Sequence, residues 1–249
     1  MDTTLRTIPL FSLLRESDLW RIKEATVRRS YPKDSVILFE GEVAEALYVV
    51  LSGRVKIVYT AEDGREVILS TREKSDFFGE TALLDERPNP AHVIAMQDAE
   101  LLILRRDEFR RCLNEIPAMS VGLLRHLSRR LRHADDQIRG LVLLDVRGRV
   151  ARLLIEMADR NDGQYVPKGI THNIIAQMVG ASRETVSRTL RELTLSGLLA
   201  VTGRRIGIAD RAALAAAAQL DPVAKFEPAP AQPAAPQFHR RATDLAHSS

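Results

Sequence analysis

The sequence predicts an α+β chain in three parts: an N-terminal antiparallel β-roll, a long helix and a C-terminal winged helix-turn-helix. Three observations predict it. Short β-branched runs alternate with Gly and Asp turns through residues 31–111. Apolar residues then recur at alternating spacings of three and four, and a turn containing Gly180 separates two capped helical segments. The boundaries read from these patterns are 1–113 for the roll, 114–144 for the helix, 145–220 for the winged helix and 221–249 for a tail.

The opening stretch from Glu16 to Arg29 reads as a short helix. Val36-Ile37-Leu38-Phe39 then runs into Gly41, Leu47-Tyr48-Val49-Val50-Leu51 into Ser52-Gly53, Val55-Lys56-Ile57-Val58-Tyr59 into Asp63-Gly64, and Val67-Ile68-Leu69 toward Asp76. Regularly spaced strands of this kind close into a small roll or barrel with a fillable interior.

From Asn114-Glu115-Ile116-Pro117 the period changes. Asn114 is a candidate N-cap, and Pro117 suits a first turn, where a missing N–H costs nothing. Leu124, Leu127, Leu131, Ala134, Ile138 and Leu141 follow at spacings of 3, 4, 3, 4 and 3, the a/d seam of a two-stranded coiled coil. A helix over 117–143 would be about 40 Å long, too long for one small roll to cover. A homodimer helix is the preferred reading, and one amphipathic helix lying on its own domain is the alternative.

In the second domain Val146, Val150, Leu153, Leu154 and Met157 form one helical stripe. Thr171 caps a short helix ending at Gly180, and Ser182 caps the next. Leu198 to Ile208 has the form of a two-stranded wing whose tip is Thr202-Gly203-Arg204-Arg205, and a short Ala-rich helix follows over 211–220. The Pro- and Ala-rich tail lacks periodicity and is expected to be disordered.

The second of the two short helices puts Arg183, Glu184, Ser187 and Arg188 on one face and Val186, Leu190 and Leu193 on the other. Arginine can donate bidentately to guanine O6 and N7, glutamate can accept from cytosine N4, and Ser or Thr can hold a phosphate. The face therefore suits G·C readout in double-stranded DNA, with Thr171, Ser182, Arg204 and Arg205 as further contacts. In isolation Glu184 and Arg188 are also a solvated i,i+4 pair, and Arg204 and Arg205 ordinary hairpin-tip charges.

Charge is distributed consistently with this. Of the 249 residues, 145–220 carry 11 basic against 7 acidic, whereas 1–112 carry 17 against 20. The single cysteine, Cys112, excludes an intrachain disulfide, cysteine-held zinc and a four-cysteine iron–sulfur cluster. No apolar stretch approaches the roughly 20 residues of a membrane span, and a cytoplasmic protein is expected. No Gly-x-Ser-x-Gly, His-Glu-x-x-His or phosphate-loop run is present, so an enzyme is not expected.

The chain resembles the CRP/FNR transcription regulators over about residues 8–210. Ser182-Arg183-Glu184-Thr185-Val186-Ser187-Arg188 matches the recognition helix, whose two arginines and glutamate read each half of a palindromic site. Phe39-Glu40-Gly41-Glu42, Leu51-Ser52-Gly53-Arg54-Val55 and Asp76-Phe77-Phe78-Gly79-Glu80 resemble the turns and phosphate-binding cassette of a cyclic-nucleotide-binding roll. Leu143-Leu144-Asp145-Val146-Arg147-Gly148-Arg149 resembles the family's hinge. The resemblance implies a bacterial regulator acting as a homodimer, with DNA and RNA polymerase as partners.

Two departures bear on the effector. The Arg-Ser pair that neutralises the cyclic phosphate in cAMP-responsive members is Pro90 and Ala91 here, and the Thr-Ser pair that grips adenine is Ala134 and Asp135. Proline has neither a side-chain donor nor an N–H, and alanine has no hydroxyl, so the phosphate would lose both charge neutralisation and side-chain hydrogen bonds. His92, His126 and His133 have no convincing partner set for a metal or haem. The resemblance then leaves cyclic di-GMP or another cyclic nucleotide, an unrelated small ligand, or no effector. Gly79, Glu80, Arg87, Arg129, Arg132 and Asp135 are the candidate ligand residues, with Arg132 and Asp135 suited to phosphate and to the guanine N1/N2 edge. At helical spacing Arg132 and Asp135 or Asp136 are more often a surface pair.

Overall fold

The computed structural model describes residues 3–219 apart from 204. The tail expected at 221–249 and the tip residue Arg204 lie outside the described residues. Two short helices, α1 (Thr3–Arg6) and α2 (Glu16–Glu24), precede eight strands. These are β1 (Thr26–Tyr31), β2 (Val36–Leu38), β3 (Ala46–Ser52), β4 (Arg54–Thr60), β5 (Glu66–Glu73), β6 (Phe77–Phe78), β7 (His92–Ala95) and β8 (Ala99–Arg105), with α3 (Glu80–Leu84) between β6 and β7. They form two four-stranded antiparallel sheets, ordered β1-β8-β3-β6 and β2-β7-β4-β5.

Strand β3 explains how this small roll fills its interior. Side chains alternate across a strand, and Tyr48 and Val50 join Val55, Phe78 and Leu101 in a core between the sheets. Leu47 and Val49 point the other way, into a core with Phe11, Phe77, Phe109 and Met119 under the helices. A strand buried on both faces reads as the continuous apolar run seen in the sequence.

The opening helix is shorter than expected, because Arg28 and Arg29 lie in strand β1. This strand pairs with β8 from Thr26↔Leu104 to Tyr31↔Ala99. Its central residues are exposed, so backbone pairing at the sheet edge, rather than a buried stripe, defines it. Asn114 does not cap the long helix: it lies within α4 (Arg106–Glu115). The cap position of α5 (Pro117–Leu143) is Ile116, which makes no side-chain cap bond and is buried in the core, with Pro117 in the first turn as expected.

The second domain comprises α6 (Val146–Asp159), α7 (His172–Val179), α8 (Arg183–Leu195), β9 (Leu199–Thr202), β10 (Arg205–Ile208) and α9 (Arg211–Ala217). Val150, Leu154, Ile175, Val186, Leu193 and Leu214 share its core. The hinge is capped: Asp145 Oδ1 accepts from the Gly148 N–H at 2.7 Å, starting α6 directly after α5. Among the described residues no helix is long and apolar enough to cross a membrane.

Candidate nucleic-acid interface

Two side-chain caps and one glycine build the helix-turn-helix. Thr171 Oγ1 accepts from the Ile174 N–H at 3.2 Å to start α7, and Ser182 Oγ accepts from the Thr185 N–H at 3.1 Å to start α8. Between them Gly180 takes a left-handed φ of 65° that ends α7, and the Ala181 N–H returns to the Ala176 carbonyl at 3.1 Å. Burial of Val186, Thr189, Leu190 and Leu193 turns the opposite face of α8 outward.

That outward face carries Arg183, Glu184 and Arg188, all exposed. No ion pair forms between Glu184 and Arg188 among the described residues, so the solvated i,i+4 pair is not what occupies these side chains. These three charged groups, without partners among the described residues, lie in the first two turns of α8, at the end where backbone N–H groups favour a phosphate. Ser187 is placed differently. It is half-buried, and its Oγ lies 2.9 Å from Nδ1 of His172 on α7, which ties the two helices together. His172 was not singled out by sequence, because a histidine following a cap residue has no periodic signal.

Strands β9 and β10 pair from Thr202↔Arg205 to Leu199↔Ile208, forming the wing. Arg205 is exposed and its guanidinium stacks over the Tyr165 ring at 4.1 Å, a cation–π contact that positions the charge beside the wing's turn. The start of α8 also borders a cleft of about 480 Å³ shared with the roll, lined by Arg65, Glu66, Asn173, Gln177, Ser182 and Arg183. Across it Gln177 Nε2 donates to Glu66 Oε2 at 2.9 Å, and Glu66 also accepts from Lys56 Nζ at 3.3 Å.

The seam residues of α5 are mostly open in the single chain. Leu124 and Leu131 are each 65% exposed, and Ile138, Leu141 and Ala134 are exposed with them. Leu127 instead packs half-buried against the roll's helical core. Burying such a stripe against a second copy is the usual resolution of an apolar seam.

Of the candidate ligand residues, the structure brings together Gly79 and Glu80. Gly79 starts α3 with a φ of 92°, and a Cβ there would meet the Ala46 carbonyl oxygen at 2.7 Å, so only glycine fits. Glu80 is 1% exposed; its Oε1 accepts from Thr81 and is ion-paired with Arg130 of α5. Arg130 went unnoticed in the sequence among several arginines on one helix. Burial lowers its pKa to about 10. Arg87, Arg129, Arg132 and Asp135 are exposed in the single chain and do not converge on Glu80, and no ion pair joins Arg132 to Asp135 among the described residues. Pro90 is exposed and Ala91 buried.

Comparison with known proteins agrees with this architecture. Residues 28–115 match the family model of the cyclic nucleotide-binding domain, and residues 148–217 match that of the Crp-like helix-turn-helix domain. The CRP-like cAMP-activated global transcriptional regulator of Mycobacterium tuberculosis is 33% identical over 220 residues, covering 86% of this chain and 98% of that protein. Among solved structures, FixK2 of Bradyrhizobium japonicum superposes with a TM-score of 0.70 at 28% identity, over 76% of this chain and 95% of that one. The c-di-GMP responsive global regulator CLP of Xanthomonas campestris gives 0.69 at 25% identity, over 79% of this chain and 100% of that one. The chain belongs to the CRP/FNR family of transcription regulators, non-enzymatic proteins that combine a cyclic nucleotide-binding domain with a DNA-binding helix-turn-helix.

Proposed function

We propose that the chain acts as a homodimer on a roughly palindromic DNA site, its two recognition helices entering successive major grooves about one helical turn apart. The observation that carries this reading is the exposed, unpaired Arg183, Glu184 and Arg188 face on a doubly capped helix-turn-helix. The open seam of α5 supports the dimer, and RNA polymerase is the expected partner on promoter DNA.

A nucleotide second messenger controls binding in this reading, with cyclic di-GMP favoured over cAMP. Pro90 and Ala91 give a cyclic phosphate neither charge nor a side-chain donor, and Asp135 offers a carboxylate where a guanine edge could donate. The likeness to a c-di-GMP responsive regulator supports the same choice. An effector-independent regulator with a vestigial pocket is the second reading, favoured by the Arg130–Glu80 pair that already fills part of the pocket.

Calorimetric titration of the purified protein with cyclic di-GMP and with cAMP tests the effector. Saturable binding of cyclic di-GMP alone is the expected result. Binding of cAMP alone would overturn the argument from Pro90 and Ala91, and binding of neither would leave the effector-independent reading.

A further inference from the structure

The flanks of the α5 seam carry one pair of opposite charges that a single chain cannot bring together. Leu124, Leu131 and Ile138 stand at the a positions and Leu127, Ala134 and Leu141 at the d positions, so the flanking positions follow from the helix alone. The g positions are Leu123, Arg130 and Gln137, and the e positions are Ser128, Asp135 and Val142. Of these six, Arg130 and Asp135 alone are charged. Within one chain they sit at i and i+5, on opposite flanks of the seam, and are not helical neighbours. In a parallel two-stranded coiled coil, a g side chain meets the e side chain of the next heptad on the other helix, and for Arg130 that residue is Asp135.

Both side chains are disposed for that meeting. Arg130 engages Glu80 through Nη1 only, and its side chain is still 34% exposed. Its Nε and Nη2 donate to nothing among the described residues and are open to water. Those two nitrogens form the edge of the guanidinium that holds a carboxylate bidentately. The surroundings of Arg130 favour a second anion. Burial and the charge of Arg72 work against its cation, and Asp76 offsets only part of this. One turn back, burial with the fields of Arg72 and Arg129 holds His126 neutral, at a pKa of about 4. Asp135 is exposed, and its carboxylate pairs with nothing among the described residues.

We propose that a second copy of the chain supplies this carboxylate: Arg130 of one protomer pairs with Asp135 of the partner subunit, and the two α5 helices lie parallel and in register. Arg130 is then held on one edge by Glu80 of its own roll and on the other by the partner's Asp135. The proposal rests on the homodimer reading and goes beyond it by naming the contact that sets orientation and register. Slipping one helix by a heptad would place Arg130 against Ser128 or Val142. Reversing it would place g against g, where Arg130 meets Leu123, Gln137 or a second Arg130. In the ligand-free dimer Asp135 thus has a partner, and a guanine edge would have to displace Arg130 from it.

Sedimentation equilibrium of the full-length protein without ligand tests this through the dimer Kd. Asp135→Asn should raise that Kd about tenfold, because the two-fold axis makes the pair twice. Asp135→Lys sets like charges together and should raise it about a hundredfold, whereas Asp135→Glu should stay close to the parent. Asp136→Asn removes the same charge one residue further on, from an exposed carboxylate already 3.5 Å from Arg139 of its own helix, and should leave the Kd unchanged. In a Glu80→Gln, Arg130→Gln background, Asp135→Asn should no longer weaken the dimer. If that background does not fold, Arg130→Lys replaces it: one ammonium cannot serve both carboxylates as the fork does, and the effect of Asp135→Asn should shrink to about threefold. A Kd indifferent to Asp135→Asn, an equal loss from Asp136→Asn, or a full tenfold loss without Arg130 would each overturn the pair while leaving the homodimer reading intact. A parent that is monomeric at micromolar concentration would end both.

Discussion

Replacing Arg149 by methionine tests whether a single guanidinium holds the connecting helix to the helix-turn-helix. Arg149 Nε donates to the Val179 carbonyl at 3.0 Å and Nη1 to the Leu144 carbonyl at 2.9 Å. Val179 ends α7, and Leu144 follows the last residue of α5. Carbonyls at helix C-termini lack helical partners and sit at the negative end of the macrodipole, so a cation there is doubly favoured. A hydrogen bond to a charged group contributes about 1.5–3 kcal/mol, and the methionine stem retains most of the packing. Because the side chain is only half-buried and water can reach its partners, each bond counts at the low end of that range, and the expected loss for the pair is about 3 kcal/mol. Urea unfolding of the full chain followed by circular dichroism measures it. Fluorescence anisotropy on specific DNA should show affinity falling about tenfold, since the reading head is no longer fixed to the hinge. Arg149→Lys can reach one carbonyl at a time and should recover part of both effects. A change below about 0.5 kcal/mol, with DNA affinity intact, would refute the assignment, because an ordinary surface substitution has that magnitude.

The recognition face and the wing should separate in a salt titration. Arg183→Ala or Arg188→Ala should cost about 1–3 kcal/mol on the specific site and relax base preference, whereas Arg205→Ala should weaken all sequences alike and lower the salt slope by about one. Under the proposed homodimer, Ile138→Asp puts a charge into the open seam, and sedimentation at micromolar protein should report a dimer for the parent and a monomer for the variant. Stability should fall with acid: His126 has a folded-state pKa of about 4 against an ordinary 6.5. The native state therefore resists a proton that the unfolded chain accepts. Its contribution is complete above pH 6.5 and lost between there and pH 4, about 3 kcal/mol in all, and His126→Phe should flatten that part of the profile.

Where sequence reasoning worked, one local physical signal was enough. The caps at Thr171 and Ser182 and the left-handed glycine at 180 are each fixed by a residue type within three positions of the turn they make. The long helix starting at Pro117 was legible for the same reason, its apolar period being a property of one helix. What failed depends on distant partners. Arg28 and Arg29 belong to a strand because β8 lies beside them, and Asn114 loses the cap because Ile116 is drawn into a core made by Phe109 and Met119. Glu80 is tied to a residue 50 positions away, and Arg72 is set apart only by its burial. No spacing in the sequence announces either, because several arginines share α5 and only the packed structure distinguishes Arg130 among them.

Helix α5 gives a physical reason for expecting these sites to communicate. Its seam residues present one face, while His126, Arg130 and His133, spaced at i, i+4 and i+7, present another toward the chain's own domains. His126 and Arg130 meet the roll at Phe77 and Glu80. His133 is held neutral chiefly by burial, in the mixed field of Glu156, Arg160 and Arg152 on the DNA-binding domain and of Asp136 on its own helix. A packed helix moves as a body, so a turn large enough to release Arg130 from Glu80 also shifts His133 against α6 and the seam against its partner. If cyclic di-GMP is the effector, as proposed, binding in the roll and binding to DNA are linked, and linkage is reciprocal: the factor by which it tightens DNA binding must equal the factor by which DNA tightens its own binding. Titration of cyclic di-GMP with and without operator DNA reads that factor directly. Equal affinities in the two titrations would show that the ligand leaves α5 where it was, and control would have to lie outside this helix.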